Sequence, residues 1–478
     1  MSLSKMGFIL LSIVMIMGLI ACSNAGSNKQ AVSETGNTNA QTDTNGSQTE
    51  KETADKGPVK LRYMVWGSPN EKKAVEDYSK KYMELNPEVT IEIIHVPNDD
   101  YDTKVATMVA GNDAPDLAYM SEGQAYELAK EGKLYNVFEQ LESDPDFNLN
   151  NYAPNTWFEW EPGKALGRRI GIGAMGMYYN KTVFEKAGIE PLPRSLEDTM
   201  AWDQFVELAK QLTVDQSGKT ALDPDFDPTK IKQYGVMFET WWANYLPLVL
   251  SNGGGYVSDD GMSFGLSEPE AYEAIQKMAD LINVHHVAPN PVQLKSLPNL
   301  ATSLQTGKAA MVFGGNWLTL DLSAAKANFG YGLYPRMKEN AAVILASPVV
   351  IFNSTKNIDQ VWKFYKFAAD PGSAIGIYSD GLSIPVLKEW LTDEEKLNQW
   401  AVNDKHPDGY IDVMIKPLFE ESTKPGPADL LKNYAKIDTI VTPALDNVWQ
   451  GKQTAEDAMN EIKPKVEPLL EGVYEWSH

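Results

Sequence analysis

From Val59 to Met120 the chain alternates strand and helix patterns with little between them, and few folds accept that order. Val59-Lys-Leu-Arg-Tyr-Met-Val-Trp-Gly67 is rich in β-branched and aromatic residues and stops at Gly-Ser-Pro, as a first strand should. Asn70 to Leu85 follows with Ala74, Val75, Tyr78, Tyr82 and Leu85 near helical spacing, until Asn86-Pro87 breaks it. Val89 to Val96 predicts a second strand, Tyr101 to Val109 a helix ended by Gly111, and Asp116 to Met120 a third strand. Strand, helix, strand, helix, strand predicts a parallel α/β sheet with right-handed crossovers. In such sheets ligands bind beyond the carboxyl ends of the strands, here Trp66 to Asn70 and Ser121 to Gln124. Further strands are predicted at Met175–Tyr179, Tyr234–Phe238, Ala309–Phe313 and Val349–Phe352. Helices are predicted at Thr182–Ala187, Asp203–Leu212, Glu270–His285 and Asp359–Ala369, with more helix to the end of the chain.

The first 57 residues follow other rules. Lys5 precedes an apolar run, Phe8 to Ile20, that is short of the about 20 residues a membrane span needs. A basic start, a short apolar middle and a small residue near its end describe a secretory signal, residues 1–21. Leu19-Ile20-Ala21-Cys22 resembles the bacterial lipobox, which makes Cys22, the single cysteine, the expected lipidated first residue of the mature chain. An uncut anchor helix is the alternative. Residues 22–57 are almost entirely small, polar or charged, with no aromatic residue. They bury too little apolar surface to offset chain entropy and are expected to form a disordered tether.

About 420 residues remain, enough for two or three domains. A hydrophobic share of 43% and an aromatic share of 10% fit an ordinary core, and the formal charge of −23 argues against nucleic acid and anionic lipid. Three motifs are expected to be inert. Gly171-Ile-Gly-Ala-Met-Gly176 matches a dinucleotide fingerprint but is followed by strand instead of helix. Asp223, Asp225 and Asp227 start like a calcium loop but lack its glycine and glutamate. His285 and His286 are adjacent, not spaced i, i+4, so no metal site is expected. Neither a Walker loop, a G-x-S-x-G elbow nor a cofactor motif is present.

Gly111-Asn-Asp-Ala-Pro-Asp116, Tyr178 to Gly188, Asn252-Gly-Gly254 and Gly307-Lys-Ala-Ala-Met-Val-Phe-Gly-Gly-Asn-Trp317 together resemble the extracellular solute-binding proteins of ABC importers. The carbohydrate-binding group similar to maltose-binding protein fits best, and the resemblance runs from about Val59 to about Leu470. It implies a two-lobed α/β fold of the periplasmic-binding-protein type, closing on ligand about hinge crossings near 171–176, 334–346 and 370–382. The first lobe would comprise 58–173 plus 341–375, and the second 174–340 plus 376–478. The implied ligand residues are Trp66, Ser68, Ser121 and Gln124 from the first lobe, and Trp241, Trp242, Asn316, Trp317 and Arg336 from the second. Flat aromatic surfaces suit the C–H faces of a sugar, and amides and charges suit its hydroxyl rim. Trp317 is expected under the sugar ring with Asn316 on a hydroxyl. In extended chain only one of Trp241 and Trp242 would face the cleft. Arg336 raises an acidic sugar as an option. Glu122-Gly-Gln124 departs from the charged pair of the maltose type, which puts that sugar in doubt.

The expected protein is therefore a monomeric, non-catalytic receptor that delivers a carbohydrate to the permease subunits of an importer. It would be held by lipid on the outer face of a cell membrane. The alternatives are a receptor for a peptide, polyamine or metal complex, and a secreted carbohydrate-active enzyme using acids such as Glu159 and Glu161.

Overall fold

A computed structural model describes residues 58–145, 148–420 and 423–476. The signal, Cys22 and the tether lie outside the described residues. The strands in chain order are β1 (Val59–Val65), β2 (Val89–His95), β3 (Leu117–Tyr119), β4 (Trp157–Glu161), β5 (Lys164–Arg169), β6 (Gly173–Asn180) and β7 (Val214–Asp215). They continue with β8 (Ile231–Met237), β9 (Ala309–Gly315), β10 (Phe329–Gly332), β11 (Val343–Leu345), β12 (Pro348–Ile351) and β13 (Lys424–Pro425).

Two sheets result. The first runs β2-β1-β3-β12-β5-β4, and the second β13-β11-β6-β9-β8-β7, with β10 on β6. The predicted βαβαβ start is present: β1 pairs in parallel with β2, Val59 opposite Val89, and with β3 on its other side. Antiparallel β12 then joins β3 to the β4–β5 hairpin, so the sheet is mixed. The hairpin is not among the predicted strands. It is covered on both faces, since the neighbouring pairs Trp157–Phe158 and Ala165–Leu166 are all buried.

The helix Pro69–Leu85 shows why the local sequence folds as it does. Ser68 caps it, accepting from the Glu71 amide at 3.3 Å, and Pro69 occupies its first turn, where no amide donor is missed. Val75, Tyr78 and Tyr82 point into the core, where Tyr82 meets Phe364 edge-on at 5.1 Å. The second sheet is covered by Trp202–Leu212, Pro269–Asn283 and the C-terminal helices Tyr434–Trp449 and Ala455–Val466, whose Ile437, Val441, Leu445 and Ile462 join its core.

The chain passes between sheets at Ile170–Ile172 and again at Ala346–Ser347, because β11 pairs with β6 while β12, two residues later, pairs with β3 and β5. The segment Gly381–Ile384 lies beside the first passage through an Ile172–Ile384 bridge. Two expected boundaries shift accordingly. Val343–Leu345 belongs to the second sheet, not with 341–375. Nor does 376–478 stay with the second sheet: Ala153 donates to the Val386 carbonyl, and Tyr474 stacks on Tyr126 at 3.9 Å. Asp429 forms an ion pair with Arg169 at 2.9 Å with both side chains sealed from solvent. Periodicity could not report these returns, since they depend on long-range pairing.

Candidate functional site

Between the two bodies, against both passages and the segment Gly381–Ile384, lies a cleft of about 500 Å³. β1 ends in Trp66, and the helix behind it adds Glu71 and Val75. β3 ends in Tyr119, and the helix Glu122–Lys130 adds Glu122. The opposite wall is Glu239, Trp241 and Trp242 after β8, and Trp317 after β9. Residues 170–173, Ala346, Ser347, Leu382 and Ser383 form the floor. The dinucleotide-like glycines belong to this floor and to β6: a Cβ on Gly171 would fall 1.7 Å from the Ser383 hydroxyl.

The aromatic walls are held from behind. Trp66 meets Tyr101 and Tyr119 edge-on at 4.9 and 5.4 Å. The Tyr101 hydroxyl, placed against the Met64 and Tyr119 carbonyls at 3.0 and 2.9 Å, fixes that cluster. Across the cleft Trp241 lies 5.4 Å from Trp242 and 6.5 Å from Trp317. Both Trp241 and Trp242 line the cleft, contrary to the extended-chain expectation. Trp241 is extended, but Trp242 opens the helix Trp242–Ser251, so the backbone turns between them and the period of two is lost.

Three carboxylates share these walls. Burial pushes the Glu71 carboxyl up to about 7; the Ser68 amide opposes the rise, and Asp321 adds to it. Burial and then Asp429 push Glu122 up to about 7, although the Ser347 hydroxyl donates to it at 2.7 Å. Glu239 is raised by burial and by Asp99. Among the lining residues there is no Lys, Arg or His.

Four of the nine expected ligand residues, Trp66, Trp241, Trp242 and Trp317, meet in this cleft; five do not. Asn316 is fully buried, and its amide donates to the Gly381 and Leu382 carbonyls at 3.1 Å each while its oxygen accepts from the Ala174 amide. It ties the end of β9 to β6 and to the segment Gly381–Ile384, and its full burial keeps it from a ligand hydroxyl. Ser68 donates to Asp321 at 3.0 Å, joined there by Asn70 at 2.8 Å, so it clasps one body to the other. Ser121 precedes its helix outside the lining, and Gln124 donates to the Asp102 carbonyl at 3.0 Å. Arg336 is exposed on the second body with its Nε on the Thr199 carbonyl at 3.2 Å, which removes the motive for an acidic sugar. The carboxylates Glu71 and Glu239 went unread because acids are common in this chain; Glu71 lies one turn beyond the Trp66 strand end, and that offset was the available clue.

The calcium-like aspartates have local uses. Asp223 accepts from the Thr220 amide and Asp227 from the Thr229 amide, as in ordinary polar turns.

Two mixed sheets joined by strand passages around an aromatic cleft define a two-lobed binding protein. The model of the bacterial extracellular solute-binding proteins matches residues 66–375, and the chain belongs to that family. Among relatives, the sn-glycerol-3-phosphate-binding periplasmic protein UgpB of Salmonella typhimurium is 22% identical, over 83% of this chain and 89% of its own. Among solved structures, the substrate-binding protein Lmo0181 of Listeria monocytogenes, in complex with cycloalternan, superposes with a TM-score of 0.71 at 20% identity, over 86% of this chain and 98% of that one. Maltose-bound T. maritima MalE3 gives 0.69 at 20% identity, over 86% and 100%. The family is extracellular, and among the described residues no helix is long and apolar enough to cross a membrane.

Proposed function

We propose that this chain is the carbohydrate receptor of an ABC importer, closing its lobes over a saccharide and presenting it to the permease. The observation that carries the reading is the convergence of four indoles from both bodies on one cleft against the passages. Indole faces cover the C–H faces of a pyranose, while the carboxylates, Ser347 and Ser383 accept or donate at its rim. The sugars held by Lmo0181 and MalE3 support the same ligand class. The phosphate ester named for UgpB fits poorly, because this lining offers three carboxylates and neither Arg nor Lys to a phosphate. The succession of signal, Cys22 and polar stretch supports anchoring by lipid at Cys22.

Calorimetry of the purified mature protein against mono- and oligosaccharides, with glycerol 3-phosphate in parallel, tests the ligand class. A saccharide that binds near micromolar, about −8 kcal/mol, is expected. Binding of glycerol 3-phosphate alone would sink the reading. For the anchor, Cys22→Ala is expected to leave the membrane fraction or stay unprocessed.

A further inference from the structure

We propose that the saccharide taken by this cleft carries a protonated amino group: a cationic amino sugar, not a neutral or acidic one. The inference rests on the carbohydrate-receptor reading above and narrows it.

Charge balance carries the argument. Glu71 and Glu122 stand on the first body and Glu239 on the second, so closure presents acids to a ligand from both sides. A ligand that covers these carboxylates takes water from their charges and must offset it, and no cation lines this cleft; the adjoining cavity that shares Glu239 holds one, Lys295, against Asp99, Asp438 and Asp446. The nearest guanidinium, Arg169, lies sealed behind the floor and bound to Asp429. The groups facing the three acids make the deficit larger. Glu71 sees Asp321 and Tyr119, with His95 placed 2.8 Å from the Gly67 carbonyl beside it. Glu122 sees Asp429, Arg169 and Tyr434, and Glu239 sees Asp99.

The aromatic lining points the same way. Indole faces within about 6 Å of an ammonium attract it, so Trp66 and Trp241 serve a charged amine as well as a sugar face. A neutral sugar would desolvate these carboxylates without a counter-charge, or would require them to be protonated. An amino sugar brings its own cation. Burial raises the Glu71 and Glu122 carboxyls, and a bound ammonium would return both to the ionised form.

The test is calorimetry of the mature chain with β1,4-linked glucosamine oligomers, their N-acetylated forms and the unsubstituted glucose oligomers of equal length. At about pH 7 the amino oligomer is expected to bind at least about tenfold tighter than either counterpart. Glu239→Gln, on an exposed side chain, and Glu71→Gln, on the opposite wall, should each shrink that preference. Equal or tighter binding of the acetylated or unsubstituted oligomers overturns the proposal and leaves the carbohydrate receptor standing. So does a preference for the amino oligomer that stays intact in both Gln variants. Binding of spermidine with no saccharide overturns both readings.

Discussion

Gly315 and Gly426 are as much a part of the cleft as the indoles that rest on them. A Cβ on Gly315 would come within 2.1 Å of the Trp317 ring, and one on Gly426 within 2.1 Å of Trp242. Gly315→Ala is therefore expected to displace the Trp317 ring, read as a shifted tryptophan emission with weaker saccharide binding. Trp317→Ala should weaken binding by about thirtyfold, since one buried aromatic anchor is worth about 2 kcal/mol or more. Because the ring lies half-buried at a cleft wall, melting should move far less than for a core tryptophan, whose removal costs about 3–5 kcal/mol; calorimetry and melting on the one variant separate the two. Arg336→Ala should leave saccharide affinity unchanged. What was legible at this scale was aromatic: a tryptophan at a strand end announces itself, whereas Asn316 reads the same whether it meets a sugar hydroxyl or three backbone groups. Glu71 and Glu239 were not legible, because a carboxylate becomes informative only when its surroundings are apolar, and burial is a tertiary property.

At the scale of elements, the regular pieces were readable and their partners were not. The helix expected at Asn70–Leu85 is Pro69–Leu85, and the strand expected at Ala309–Phe313 is Ala309–Gly315, because capping and periodicity are local. The β4–β5 hairpin was missed since Glu161-Pro-Gly-Lys164 looks like loop, and it is pairing with β4 and β12 that makes Lys164–Arg169 a strand. The clasp between elements is likewise invisible in sequence. Ser68 and Asn70, at the start of Pro69–Leu85, both donate to Asp321 on Leu318–Ala324, one element from each body. Hydrogen bonds to a charged group contribute about 1.5–3 kcal/mol when sheltered and less when half-exposed as here. Asp321→Ala should therefore bias the empty protein toward the open form. A larger radius of gyration by small-angle scattering and a weakening of saccharide affinity by about fivefold are expected, in line with typical coupling energies. An unchanged radius with unchanged affinity would show that the clasp bears no weight in closure.

Across the whole molecule, the C-terminal segment binds the two bodies together behind the cleft. The helices Tyr434–Trp449 and Ala455–Val466 pack on the second core, yet Asp429 before them and Tyr474 and Trp476 after them pack on the first. Arg169 is the focus: its guanidinium lies over Phe158 and near Trp476, 5.1 and 5.5 Å from their ring centres, and bridges Asp429 immediately before the Ile170–Ile172 passage. Such a position suits a pivot, since it fixes one end of the passage while the cleft in front changes width. Removing one partner of a buried pair strands the other charge, which costs about 3–5 kcal/mol, whereas replacing both with apolar residues is often neutral. Asp429→Ala should accordingly lower the denaturation midpoint strongly, and Arg169→Met with Asp429→Leu should recover most of that loss. The double variant is the informative one, because it folds without the pair. If the pair serves as pivot, the refolded double variant should still bind saccharide, but its radius of gyration should shrink less on binding than the parent's. Full closure in the double variant would reduce the pair to a structural contact and leave the hinge to the passages alone.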